Sequence, residues 1–281
     1  MAARKLTEKR VEKVWGRRDL PDMFGGAWRG DEPLGEIWFE HPGGGDAAEL
    51  LVKYLFTSEK LSIQVHPDNE AARGAGQARG KDEAWIILRA DPGATIGLGL
   101  RDPVSPDRLR TAALDGSIEE LIDWQPVAAG DVIYSPARTI HAIGPGLTLI
   151  EIQQNSDITY RLYDYGRPRE LHLAEAVGAA NPVPYVSPTV AYALSDGRDI
   201  VAAGGAFVVE RWSQPGEAML RASEDGPVWL VWVSGEGTVC GERLEPGTVW
   251  FADADATLTL SEDSELFVAY PGAAVRHDLI G

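Results

Sequence analysis

The sequence predicts a mainly β protein, a sandwich or barrel of short strands carrying one small helical insert. Three observations carry that expectation. Apolar residues alternate with polar ones in short runs, the period of a half-buried strand. Gly and Pro, 31 and 18 in number, punctuate those runs. Only one long segment has helical spacing, and it lies between strand-like segments.

In chain order the strand-like runs are "PLGEIWFEH", "AELLVKYLF", "KLSIQVH" and "EAWIILRA", then "DVIYSPA" and "LTLIEIQQN". Residues 68–80, rich in Ala and Gly, read as a short helix followed by a mobile loop. The helical segment "SPDRLRTAALDGSIEELIDW" reads as an insert near 103–124. Ser105 suits its N-cap, Pro106 suits the first helical position, and apolar residues recur at helical spacing. The stretch "AANPVPYVSPTVAYALSDGRD" holds three prolines and little periodicity. It is expected to link, over residues 181–200, a first unit (1–180) to a second (201–281). The second unit is again strand-rich, with turns at "SGEG" and "EPG" that resemble hairpin connections. Its only histidine, His277, lies near its end, so the chemistry is expected in the first unit.

Composition narrows the function. With 281 residues, 44% of them hydrophobic, the chain has material for one large or two smaller cores. A net charge of -17 argues against nucleic acid and acidic membrane surfaces as partners. A small anionic substrate needs only a local basic pocket. The single cysteine, Cys240, has no intramolecular partner, which suits a reducing compartment. The first residues, "MAARKLTEKRVEKVWGRR", carry charge throughout and lack a secretory apolar segment. No stretch approaches the ~20 apolar residues of a membrane span, so a cytoplasmic protein is expected.

One strand breaks the apolar rule. In "LSIQVHPDNEAAR", Leu61, Ile63 and Val65 alternate with Ser62, Gln64 and His66, so the last two share a face, about 7 Å apart. Glu83 opens "EAWIILRA", and His141 follows the turn at Pro136 in "GDVIYSPARTIHAIGPG". Each alone reads as a hydrogen-bonded strand residue or a solvated strand end. Short connections between antiparallel strands can bring all four to one spot inside a barrel. Two imidazoles, a carboxylate and an amide, without a thiolate, suit one Zn²⁺, with Fe²⁺, Mn²⁺ or Co²⁺ as competitors. A structural zinc site is more typically closed by cysteines, so this set points to catalysis.

Several blocks, "PLGEIWF", "LSIQVHPDNEAA", "GKDEAWIIL" and "PARTIHAIGPGLTLIEIQQNSDITYRLYDYGRP", resemble the type I mannose-6-phosphate isomerases in their short bacterial form. The likeness runs in order from about residue 10 to 178. It implies a cupin, a jelly-roll β-barrel with a metal inside, followed by a second, degenerate cupin-like barrel. It assigns the metal to Gln64, His66, Glu83 and His141. It implies a sugar-phosphate substrate and an aldose–ketose isomerisation of mannose 6-phosphate and fructose 6-phosphate through a cis-enediol. Arg161, Lys81 and Glu151 match the family's catalytic arginine, lysine and proton-transferring carboxylate, and Ser62 its substrate-contacting serine. One departure stands out. Cupins commonly carry Gly three residues before the last histidine, and here that position is Arg138.

Other readings stay open for these residues. Arg161 has the alternative of a surface partner of Asp157 or Asp164, and Lys81 that of a solvated loop lysine. A charge at Glu151, on an apolar strand, is costly unless paired. For the phosphate no Gly-rich loop is present, and Arg73, Arg79 and Lys81 flank the expected entrance. His41 and His172 read as structural and His277 as a surface residue. The rival functions are another metal-dependent cupin enzyme, such as a dioxygenase, and a regulatory cupin that binds sugar phosphate without turnover.

Overall fold

The computed structural model of the chain describes residues 2–44, 48–189, 191–194, 196–213 and 215–281. Among these the strands form four antiparallel sheets stacked as layers. The first has five strands in the order Tyr160–Tyr163, Ile63–Val65, His141–Ile143, Thr95–Leu100, Ile122–Pro126. The second has six, in the order Thr7–Arg17, Leu34–Glu40, Leu50–Phe56, Leu147–Gln154, Glu83–Ala90, Val132–Ser135. These two sheets form the cupin-like unit that the resemblance implies, as a sandwich of two open sheets and not a closed barrel. A third sheet of seven strands and a fourth of four are built mainly from residues beyond 190. The third also takes in Ala3–Lys5, paired with Val249–Ala252 in register Ala3 to Ala252. The expected linker over 181–200 falls partly on residues 190 and 195, outside those described.

Alternation decides which layer each side chain enters. Leu50, Val52, Tyr54 and Phe56 join Ala84, Ile86, Ile150 and Ile152 in a core shared with Phe207, Trp229, Phe251 and Phe267 of the third sheet. The intervening residues of the same strands face the first sheet instead, where Leu55, Trp85, Ile87 and Leu149 meet Ile96, Leu98 and Ile143. A sheet covered on both faces explains why "LLVKYLF" and "LTLIEIQQ" are buried along their whole length. Beyond the first sheet, Ile63, Val65 and Ala142 pack on Leu109, Ala112, Ile118 and Ala176 of the helices. The third and fourth sheets enclose their own core around Leu230, Trp232, Val239 and Leu258.

The structure changes two details of the sequence reading. The helical insert is not continuous. A helix over Pro106–Asp115, capped by the Ser105 side chain, ends at Gly116 with φ 83°. One turn follows at Ile118–Leu121, and Ile122–Pro126 is already a strand paired with Thr95–Leu100. The turns at "SGEG" and "EPG" are not hairpins, because each carries the chain from one sheet to another. The tight hairpin lies between them, joining Gly237–Val239 to Glu242–Arg243 through Cys240 and Gly241, with φ 50° and 80°. Two positive φ values are what a two-residue hairpin of this twist demands. The helix expected at 68–80 spans Asn69–Gly74, with Asp68 as its cap.

Candidate metal centre and active site

The interior of the sandwich is apolar at one end and polar at the other, and strand register builds the polar end. On the first sheet Gln64 lies directly opposite Arg161 on one neighbour and His141 on the other. Directly opposed residues project to the same face, so one row carries a guanidinium, an amide and an imidazole. On the second sheet Glu83 faces Gln153 in register, and the neighbouring row runs Trp38, Lys53, Glu151, Trp85.

Between the sheets, three buried residues converge. The nearest atoms of His66, Glu83 and His141 all lie within 4.8 Å of one another. Glu83 Oε1 is 3.3 Å from His66 Nε2, and Oε2 is 3.4 Å from His141 Nε2. Each imidazole uses its other nitrogen, Nδ1, to donate to a backbone carbonyl, His66 to Ile158 at 2.8 Å and His141 to Thr139 at 2.9 Å. That fixes the tautomer and leaves the Nε2 lone pairs aimed at the carboxylate. Burial, and then the Lys81 ammonium, push the His66 imidazole down to about 3. Burial also lowers His141. Burial would raise the Glu83 carboxyl, but Lys81 and the imidazoles hold it well below the usual carboxylate range. No proton is therefore left to bridge the two nitrogens to the carboxylate. His66 Nε2 and both Glu83 oxygens are buried without a hydrogen bond. Lys81 Nζ is 2.7 Å from Glu83 Oε1, but outside hydrogen-bonding geometry, so it contributes charge and not a directed bond. Convergent acceptors with no donor among them fit a divalent cation.

Gln64 stands beside this set, its Nε2 3.3 Å from His141 Nε2 and its Oε1 accepting from the Ser62 hydroxyl at 3.1 Å. A cavity of about 230 Å³ opens next to it, with Ser62, Gln64, Lys81, Glu151 and Arg161 on its wall. The Glu151 oxygens accept from Lys53 Nζ at 3.2 Å and from the Trp85 indole at 3.2 Å. Burial pulls the Lys53 ammonium down, but Glu151 and then Glu36 and Glu83 outweigh it and leave it raised. Arg161 behaves differently. Its Nε is buried without a partner, and burial followed by the nearby Arg169 lowers it.

All eight site residues expected from the sequence gather on this cavity or on the ligand set beside it. Arg73 and Arg79 do not line the cavity. Arg79 Nη1 instead reaches the Ala48 and Asn155 carbonyls. Lys53, Trp38 and Trp85 escaped the sequence reading. The rule that a charge on an apolar strand needs a partner, applied to Glu151, applies equally to Lys53 in "LLVKYLF". His172 is structural, its ring accepting from the Arg161 N–H at 3.3 Å.

A cupin-type sandwich with an inward His–Glu–His set that fits a metal ion defines a cupin. No protein-family model matches the chain. The chain is 32% identical over 260 residues to the mannose-6-phosphate isomerase of Streptococcus mutans, covering 83% of this chain and 81% of that one. It is 34% identical over 231 residues to mannose-6-phosphate isomerase ManA of Bacillus subtilis, covering 76% and 72%. The crystal structure of the mannose 6-phosphate isomerase from Bacillus subtilis superposes with a TM-score of 0.81 at 30% identity, over 96% of this chain and 99% of that one. The chain belongs to the mannose-6-phosphate isomerase family.

Proposed function

We propose that the chain interconverts mannose 6-phosphate and fructose 6-phosphate through a cis-enediol. The observation that carries this reading is the meeting, in and beside one cavity, of a donor-free His–Glu–His set, a held carboxylate and a guanidinium without an ion-pair partner among the described residues. Bound to His66, Glu83 and His141, a divalent metal, with zinc as our assignment and one per chain, supplies Lewis-acid stabilisation of developing oxygen charge. A half-turn of the Gln64 amide would bring Oε1 toward His141 Nε2 as a fourth ligand.

The remaining steps fall to the chain's own groups. Glu151, with two of its lone-pair sites taken by Lys53 and Trp85, retains others for the proton that moves between C2 and C1. Lys81, next to Glu83, carries the proton that moves between the two sugar oxygens. Arg161, in the same cross-strand row as Gln64, faces the enediolate, and Ser62 orients a sugar hydroxyl. Cys240, without a disulfide partner, supports the cytoplasm as the place of action.

His141→Ala should strip the metal and abolish turnover. Arg161→Ala should lower kcat by about 10²-fold, the cost of losing one charge-stabilising donor, with KM changed less and metal content unchanged. Steady-state kinetics beside metal analysis tests both, and full activity of metal-free protein would overturn the reading.

A further inference from the structure

The cavity wall carries more guanidinium charge than the isomerisation itself uses. Three of its cations already face an acid of their own: Lys13 is 3.7 Å from Glu36, Lys53 3.2 Å from Glu151 and Lys81 2.7 Å from Glu83. Arg161 has no such partner among the described residues. The last cation on the wall, Arg169, is held by Asp164, which does not line the cavity. Asp164 is 2% exposed, and one of its oxygens accepts from Arg169 Nη2 at 2.8 Å while the other accepts from Arg169 Nε. The same carboxylate takes Arg167 Nη2 at 2.7 Å. Two guanidiniums thus share one buried carboxylate beside a third that has none.

The bidentate clamp has a directional consequence. It occupies the Nε and Nη2 edge of Arg169, which lines the cavity and whose Nη1 has no hydrogen bond among the described residues. A fixed guanidinium with donors to spare, in an excess of positive charge, is the usual receptor for a phosphate dianion. Arg161 is tied by register to the metal-ligand row, so it marks the reacting end of the cavity. Arg169 lies eight residues further along the chain, past Tyr160–Tyr163. In an open-chain hexose 6-phosphate the phosphate is at the opposite end from the reacting carbons. The remaining acid on the wall, Asp157, is exposed to solvent, where its charge is screened.

We propose that Arg169 takes the substrate's phosphate and that Asp164 is the positioning residue that aims it, an inference that rests on reading the cavity as a sugar-phosphate isomerase site. Kinetics with mannose 6-phosphate, with unphosphorylated mannose and with inorganic phosphate as inhibitor test it on the whole metal-loaded enzyme. Arg169→Gln should raise KM for mannose 6-phosphate about 30-fold or more, the scale of one charge-assisted hydrogen bond, with kcat changed far less. The inhibition constant of inorganic phosphate should rise in parallel, and turnover of mannose should hardly move. Asp164→Asn should shift the same two quantities in the same direction by about 10-fold, because the clamp loses its charge. Arg169→Lys should recover part of the loss, and it serves if Arg169→Gln melts below the assay temperature. Unchanged KM and unchanged phosphate inhibition in folded Arg169→Gln overturn the proposal, as does a fall confined to kcat. A wild-type enzyme without activity on mannose 6-phosphate would overturn the isomerase reading instead. Calorimetry of inorganic phosphate against the same variants would then still decide whether Arg169 binds the anion.

Discussion

Arg138 shows how one backbone conformation outlasts a change of side chain. Its φ of 72° is the left-handed conformation that glycine adopts without strain and other residues adopt at a cost of about 1 kcal/mol. The turn persists because its amides are committed: Arg138 N–H donates to the His66 carbonyl at 2.7 Å, and its own carbonyl accepts from Asn181. Arg138 Nε also reaches the Ala179 carbonyl, and Nη1 is 3.5 Å from Asp68. Replacing Arg138 by Gly should therefore leave stability within about 0.5 kcal/mol, strain relief offsetting those half-exposed contacts. Arg138→Val should destabilise by about 2 kcal/mol or more and loosen metal retention, as melting curves and chelator competition would report. The sequence pointed to this position through the missing glycine, but only the dihedral shows that the turn itself is unchanged. His66 makes the second residue-scale prediction. Its imidazole titrates near 3 when folded and near 6.5 when unfolded, so between those values the unfolded chain binds the extra proton. Stability of the metal-free protein must then fall as pH drops below about 6.5, His66 alone contributing about 2 kcal/mol by pH 5. Denaturant titrations at two pH values check this, and His66→Gln should remove that share of the loss.

At the scale of strands, the row Trp38, Lys53, Glu151, Trp85 is a small machine laid across the second sheet. Lys53 lies 4.8 Å from the Trp38 ring centroid as well as against Glu151. Lys53→Met would leave a buried carboxylate unpaired and should cost about 3 kcal/mol, along with most of kcat. The double variant Lys53→Met/Glu151→Leu should regain most of the stability and none of the activity, since a matched apolar pair tolerates burial that a lone charge does not. A double-mutant cycle of denaturation and turnover separates the two effects. Each of these strands was legible from its alternation, and Glu151 was marked both by its charge on an apolar strand and by the family resemblance. The row was not, because Trp38, Lys53, Trp85 and Glu151 come from four strands scattered along the chain, and no local pattern fixes which strand lies beside which. The same limit explains the two misread turns. "SGEG" and "EPG" have hairpin composition, but whether a turn joins partners or changes sheets depends on distant pairing.

On the scale of the molecule, the stacking order matters more than the boundary between units. The face of the second sheet bearing Ile37, Val52, Tyr54 and Ile150 is covered by Phe207, Trp229, Val231 and Phe267 of the third. A chain ending at residue 189 would expose that face, and fully burying each such side chain contributes roughly 1.5–3 kcal/mol. That truncation should yield aggregated or molten protein lacking metal, and light scattering with near-ultraviolet circular dichroism would show it. A folded, metal-loaded fragment would contradict the prediction. The sequence announced two strand-rich units and placed the chemistry in the first, but it carried no signal for which faces of the sheets meet. The pairing of Ala3–Lys5 with Val249–Ala252 has a consequence of its own for how the chain is made. On the ribosome, Ala3–Lys5 emerges long before its partner strand exists, and it must stay unpaired until the strands of the third sheet have been made. A pairing between segments so far apart in sequence closes a long loop, and it forms only once Val249–Ala252 has been made.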